Sequence, residues 1–379
     1  MKTILLEAPR PNSSFAKWKS LSVLPNILLD IAGALKNNEI RLLNFLKKRD
    51  EIILPKADRF IVNISECVET TARDVPYVER LLLQLKSLSF SNSNQVFLSG
   101  WNPWLRRAKL ENEGFKVLDA MFYEKDLNSS LTSQAEISPR WDLLDWNEVP
   151  SSKIGKKATL RTSRGCIRNC VACPVLLVHK GKMYQFPIDW CKEQIAILYK
   201  DYKVREIDFL DDNLLINKNR AIELLSFLAD ERKNSLRDMR YTFREGMEVD
   251  QAIDEDIVSL LKKSGFHHIK LGIETFNEKS LKFINKSYTD PNLAIKAIET
   301  LKKYRLSPIC FMLIGIPTDT EEDIKNTIDM FVKLKVKLRA QLLIDYEDNR
   351  FKSLISYERL QELKNEALER TKSSTWRKK

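Results

Sequence analysis

The sequence has no apolar run approaching the ~20 residues that span a bilayer, no G-x-G-x-x-G after a strand, and no histidine before residue 179. The first absence leaves no membrane partner to expect. The second removes the dinucleotide-binding fingerprint. The N-terminus, MKTILLEAPRPN, carries a short apolar run cut off by Glu7 and lacks the long core and small-residue cleavage site of a secretory signal. A cytoplasmic protein is expected. Disulfides are not: three of the six cysteines (Cys67, Cys191, Cys310) are scattered, and only Cys166, Cys170 and Cys173 cluster. That pattern suits a reducing compartment with one metal or cluster site. Acidic residues are missing between Val149 and Ile188, where eight basic residues stand.

What is present is a chain of 379 residues, 43% hydrophobic and 30% charged, with a net charge of +11. Residues 1–150 are nearly neutral, so the excess lies in the remainder, with 43 Lys and Arg against 33 Asp and Glu. Two accounts fit: a lysine-rich bias that also compensates an anionic cluster, or an anionic partner such as DNA, RNA or a nucleotide.

Apolar runs at 3–8, 60–65, 96–100 and 115–120 read as strands, with helix-period segments at 26–35, 78–88 and 104–114 between them. Such alternation predicts a doubly wound parallel sheet over residues 1–125. Residues 126–156, rich in Ser and Asn at first, read as a linker. From Lys157 six further strands, at 158–163, 206–211, 241–244, 268–274, 309–316 and 337–345, alternate with helical segments. They predict an α/β core over 157–345, a (β/α)6 partial TIM barrel. Gly265 reads as a helix C-cap, and Thr320 with Asp323 as a capped helix start. Residues 346–379 hold a last amphipathic helix and a basic tail.

The loop TSRGCIRNCVACP (162–174) presents thiols at C-x3-C-x2-C spacing just after the first barrel strand, hence at the carboxyl mouth where barrel sites are built. Three thiolates are one short of a closed tetrahedral zinc site. His179 or Cys191 is a candidate fourth ligand, which would make a non-catalytic, zinc-stabilised binding module. The alternative is a 4Fe–4S cluster with one iron open.

Several motifs in order resemble the radical SAM superfamily, and within it the subgroup whose barrel follows a cobalamin-binding-type, Rossmann-like domain. They are RWDLLDWNEVP (140–150), the cysteine loop, IDFLDDNLL (207–215), IKLGIETFNEKSLKFINK (269–286) and FMLIGIPTDTEED (311–323). The resemblance implies that Cys166, Cys170 and Cys173 bind three irons and that S-adenosylmethionine chelates the fourth. It implies cofactor contacts from Asp211, Asp212 and Asn213 to the methionyl ammonium, from Arg244 to the carboxylate, and from Glu274 to ribose or ammonium. Gly315 and Pro317 would shape the backbone against adenine. It also implies an electron donor such as flavodoxin or ferredoxin, and chemistry by a 5′-deoxyadenosyl radical that abstracts a substrate hydrogen. Ala172 departs from the pattern, which usually has an aromatic residue before the third cysteine.

Cobalamin held by a DxHxxG histidine is not expected, because residues 1–178 contain no histidine; cobalamin without a protein ligand is allowed but disfavoured. Trp101 and Trp104 are candidates for stacking on bases. Cys310, on the fifth barrel strand, is a candidate radical or methyl relay if it faces the lumen. The leading expectation is modification or rearrangement of a nucleotide or nucleic acid. The alternative is a cobalamin-dependent methyltransferase or mutase acting on a small metabolite or peptide.

Overall fold

The computed structural model describes residues 1–7, 26–35, 38–44, 56–64, 81–83, 85–87, 95–123, 126–127, 137–147, 149, 151–286, 288–343 and 351–372. Cys67 with its loop, residues 128–136 and the basic tail after residue 372 lie outside them. The chain divides into two compact units. One comprises residues 1–159, 177–179 and 193–203, and the other 160–176, 180–192 and 204–379.

The first unit is built on a five-stranded sheet. Its strands are β1 (Lys2–Glu7), β2 (Glu39–Asn44), β3 (Arg59–Asn63), β4 (Gln95–Ser99) and β5 (Lys116–Val117), in the order β2-β1-β3-β4-β5. Every pairing is parallel. β1 and β3 are almost wholly buried along their length, because a parallel sheet covered on both faces wants continuous apolar runs rather than alternation. Helix α1 (Asn26–Ala34) is buried at every residue. α2 (Trp101–Leu105) and α3 (Arg107–Asn112) occupy the span read as one helix. Strand β2, EIRLLN, carries two leucines among polar residues and was not expected; pairing with β1 over six residues makes it a strand.

The strands that follow are β6 (Ser151–Ser152), β7 (Gly155–Leu160), β8 (Ser163–Gly165), β9 (Met183–Gln185), β10 (Val204–Phe209), β11 (Arg240–Phe243), β12 (Met247–Glu248), β13 (His268–Glu274), β14 (Ser307–Ile314) and β15 (Lys337–Leu342). The six barrel strands, β7, β10, β11, β13, β14 and β15, fall into two hydrogen-bonded sheets, β11-β10-β7-β6 and β12-β13-β14-β15. A single bridge, Tyr241 to Phe266, links β11 to the approach of β13. Stacked Phe209, Tyr241, Phe243 and Phe266 fill that junction, with ring centroids 4.5–6.0 Å apart.

The helices are α4 (Pro174–His179), α5 (Ile188–Lys200), α6 (Lys218–Lys233), α7 (Val249–Ala252), α8 (Glu255–Ser264), α9 (Glu278–Phe283), α10 (Pro291–Lys303), α11 (Glu321–Lys333) and α12 (Tyr357–Thr371). Gly265 caps α8 at φ 104°, and a Cβ there would lie 1.7 Å from the Arg232 guanidinium, so the turn requires glycine. Thr320 and Asp323 form a reciprocal capping box at the start of α11. No helix among the described residues is long and apolar enough to cross a membrane.

Candidate active site

The cysteine loop leaves β8 and enters α4, with Cys173 as N-cap and Pro174 at the first helical position, where a missing N–H costs nothing. Each thiol has its own hydrogen-bond donor. The Arg168 N–H points at Cys166 Sγ at 3.4 Å, and the Tyr288 hydroxyl stands 3.1 Å from Cys170 Sγ. The Val175 N–H serves Cys173. The three sulfurs also feel one another's charge. Burial pushes the Cys166 thiol up to about 11 and raises Cys170 and Cys173 as well. Iron would reverse that, because a bound metal stabilises thiolate. Among the described residues no three His, Cys, Asp or Glu side chains could together hold a single metal ion. Three thiols with a neighbouring donor apiece fit the sulfur-accepting surface of a cluster.

Asp211 and Asp212 follow β10 and brace this loop from below. Both Asp211 oxygens are taken: Oδ1 accepts from Thr162 Oγ1 (2.7 Å) and Ser163 Oγ (2.6 Å), and Oδ2 from the Thr162 N–H. These bonds give Asp211 an inward role, fixing the lead-in to Cys166. Asp212 Oδ2 accepts from the Gly165 N–H at 2.7 Å. Burial raises its carboxyl to about 6 despite nearby Arg161. Asn213 Oδ1 accepts from Gln251 at 2.9 Å. Arg220 supports the same strand, donating to the carbonyls of Thr162 and Phe186 and touching Cys191 Sγ at 3.5 Å, so Cys191 belongs to this brace.

Arg244 is not offered to a carboxylate from outside. Its guanidinium pairs with buried Asp208 at 3.0 Å, and Thr242 Oγ1 holds the other Asp208 oxygen at 2.6 Å. Glu274 ends β13 at φ 69°, beside a register shift between Gly272 and Glu274. Its Oε1 lies 3.0 Å from Lys286 Nζ, which also reaches Glu248 at 3.5 Å and the Gly272 carbonyl at 3.1 Å. Gly315, at φ 95°, presents the side where a Cβ would stand to Leu360 of α12 at 3.0 Å. Pro317 lies in the turn closed by the Asp319 N–H on Ile316 O.

Cys310 is a correction. β14 alternates strictly, with Pro308, Cys310, Met312 and Ile314 buried and Ser307, Ile309, Phe311 and Leu313 partly open. Lys302 of α10 is the charge that reaches Cys310, so the thiol faces the helical layer. Fully buried, it gives the expected relay in the lumen no support. Base stacking fails similarly. Trp101 and Trp104 are 3% and 7% exposed, set edge-on to each other and to His179. His179, placed after the first domain by sequence, groups with the first compact unit and is itself buried. The acid-free basic segment also turns partly inward: Arg161 and Arg164 are buried, and Arg168 pairs with Asp250. Sequence reading missed Tyr288 and Glu248, which carry no local signature, and assigned no role to Lys286, the last residue of the motif 269–286.

Residues 160–331 match the model of the radical SAM superfamily. An uncharacterized methyltransferase of Pyrococcus horikoshii is 30% identical over 52% of this chain and 41% of its own length. One of Synechocystis is 28% identical over 47% of this chain and 32% of its own. The chain thus spans under half the length of these curated relatives. Among solved structures, the radical SAM methyltransferase TsrM of Kitasatospora setae, with cobalamin and a 4Fe–4S cluster bound, aligns at a TM-score of 0.70. The identity is 15%, over 90% of this chain and 75% of that one. The cobalamin-dependent OxsB aligns at 0.63 with 15% identity, over 97% and 56%. The fold is the one expected, a Rossmann-like domain followed by a partial barrel. Disfavouring cobalamin, however, finds no support in neighbours that bind it.

Proposed function

From the premise that this chain is a radical SAM enzyme with residues 160–331 as its core, we propose that it transfers a methyl group and that its first unit binds cobalamin. The observation that carries the reading is the cysteine loop, with Cys166 buried, Cys170 and Cys173 half-buried, and a hydrogen-bond donor beside each thiol. The methyltransferase relatives and the TsrM-like fold support the transfer. Cys166, Cys170 and Cys173 hold the irons. Asp212 and Glu274, with carboxylates at the ends of β10 and β13, suit the ammonium and hydroxyls of S-adenosylmethionine by charge. Asp211 and Arg220 keep the loop in place. The cluster supplies one-electron reduction, S-adenosylmethionine the methyl group, and cobalamin its carrier.

In the first unit, the carboxyl ends of β1, β3 and β4 bring together Glu7, Asn63 and Ser99, a buried hydrogen-bonded set. Open parallel sheets bind ligands at that edge. The test is anaerobic reconstitution with iron, sulfide and hydroxocobalamin, followed by gel filtration. Retained corrin absorbance with about four irons per chain is the expected result. A chain that keeps the iron and loses all corrinoid rejects cobalamin but not the cluster.

A nucleotide or nucleic-acid substrate is the second reading, favoured by exposed Lys153, Lys180 and Lys182. Oligonucleotide binding that weakens steeply with salt is its signature. Binding that is absent at low salt removes it.

A further inference from the structure

The segment after α9 clasps the cysteine loop at three successive residues. The Asn285 side chain donates to the Asn169 carbonyl at 3.0 Å, and the Val171 N–H donates to the Ile284 carbonyl at 3.1 Å. Between these two anchors, the Tyr288 hydroxyl meets Cys170 Sγ at 3.1 Å. The tyrosine ring is itself pinned. The Arg168 guanidinium lies 4.1 Å from its centroid and is held in turn by Asp250. A cation over the ring face draws electron density from it and sharpens the hydroxyl as a donor. Arg168 therefore serves two sulfurs, Cys166 through its backbone N–H and Cys170 through Tyr288.

Glu248 competes as an acceptor: its carboxylate also reaches the Tyr288 hydroxyl. Glu248, however, is engaged by Lys286, which sits between it and Glu274. A thiolate bound to iron can only accept, so an O–H 3.1 Å away becomes its donor.

Resting on the reading of Cys170 as a cluster ligand, we propose that Tyr288 donates a hydrogen bond to its thiolate and thereby raises the reduction potential of the cluster. Donors to cluster sulfurs stabilise the more negative, reduced state. Tyr288 acts through Cys170 and is a positioning residue. The cluster would then be easier for a one-electron donor to reduce than in the same loop without the hydroxyl.

The experiment is an EPR-monitored potentiometric titration of anaerobically reconstituted wild type and Tyr288→Phe, with iron and sulfide measured in each. The expected result is equal iron content and a more negative midpoint for Tyr288→Phe. At a fixed poise the ratio of reduced to oxidised cluster should fall about tenfold, which is about 59 mV for one electron. Asn285→Ala removes one anchor of the clasp but leaves the hydroxyl, so its midpoint should match wild type. If Tyr288→Phe fails to load, 3-fluorotyrosine at position 288 keeps the ring and strengthens the donor, and the midpoint should rise. An unshifted midpoint in loaded Tyr288→Phe, an unshifted one with fluorotyrosine, or an equal shift in Asn285→Ala overturns the proposal alone. Wild type that takes up no iron and sulfide overturns the cluster reading and this proposal with it.

Discussion

Replacing Lys286 by methionine should destabilise the metal-free protein by about 3–5 kcal/mol at neutral pH. Its side chain is 8% exposed, between Glu274 at 3.0 Å and Glu248 at 3.5 Å, and it also satisfies the Gly272 carbonyl at 3.1 Å. Methionine keeps most of the stem's volume, so the loss is electrostatic: two half-buried carboxylates share a pocket with no cation. Burial presses the ammonium toward neutrality, yet the charges of Glu248 and Glu274 outweigh it and raise its pKa above the ordinary value. A raised folded pKa means that the stabilisation is fully present below the unfolded value, about 10.4, and is lost only as pH climbs past it. The deficit of Lys286→Met should therefore stay constant from pH 7 to pH 9 and narrow only above pH 10. Equilibrium urea unfolding followed by far-UV circular dichroism measures it. A deficit under about 1 kcal/mol, the scale of an exposed pair, or one that vanishes between pH 7 and 9, would refute the reasoning.

Gly265→Ala should cost at least about 1–2 kcal/mol for the left-handed turn. It should also displace Arg232 from the Met239 carbonyl, and thermal unfolding reads both losses together. Burial raises the Asp319 carboxyl to about 6, against hydrogen bonds from Ser280 and Asn277. With the folded pKa above the unfolded one, wild-type stability falls as pH rises from about 4 through 6. Asp319→Asn, which keeps an acceptor oxygen, should gain about 3 kcal/mol on wild type between pH 4 and pH 8; parallel pH profiles would contradict this. Cys310→Ala should cost about 1 kcal/mol in unfolding free energy and leave reductive cleavage of S-adenosylmethionine unchanged. Loss of cleavage in a folded, iron-loaded variant would restore Cys310 to the lumen.

The succession of βα units, the capped turns at Gly265 and Thr320, and the place of the cysteine loop are legible from the residues alone. Each is a local property: a run of apolar residues, a residue type that tolerates a turn, a spacing within one loop. β2 escaped because its strand identity comes from pairing with β1 rather than from its own composition. Tertiary structure alone decided which way the functional side chains point. Period-two alternation put Cys310 on one face of β14 but could not say which face meets the helices. Asp211 and Arg244 sit where carboxylate and guanidinium were expected, yet nearer partners, Thr162 with Ser163 and Asp208, turn them inward. Tyr288 meets Cys170 across 118 residues of chain. A desolvated charge or donor takes whatever partner the folded chain brings within about 3 Å, and that distance is not written in sequence order.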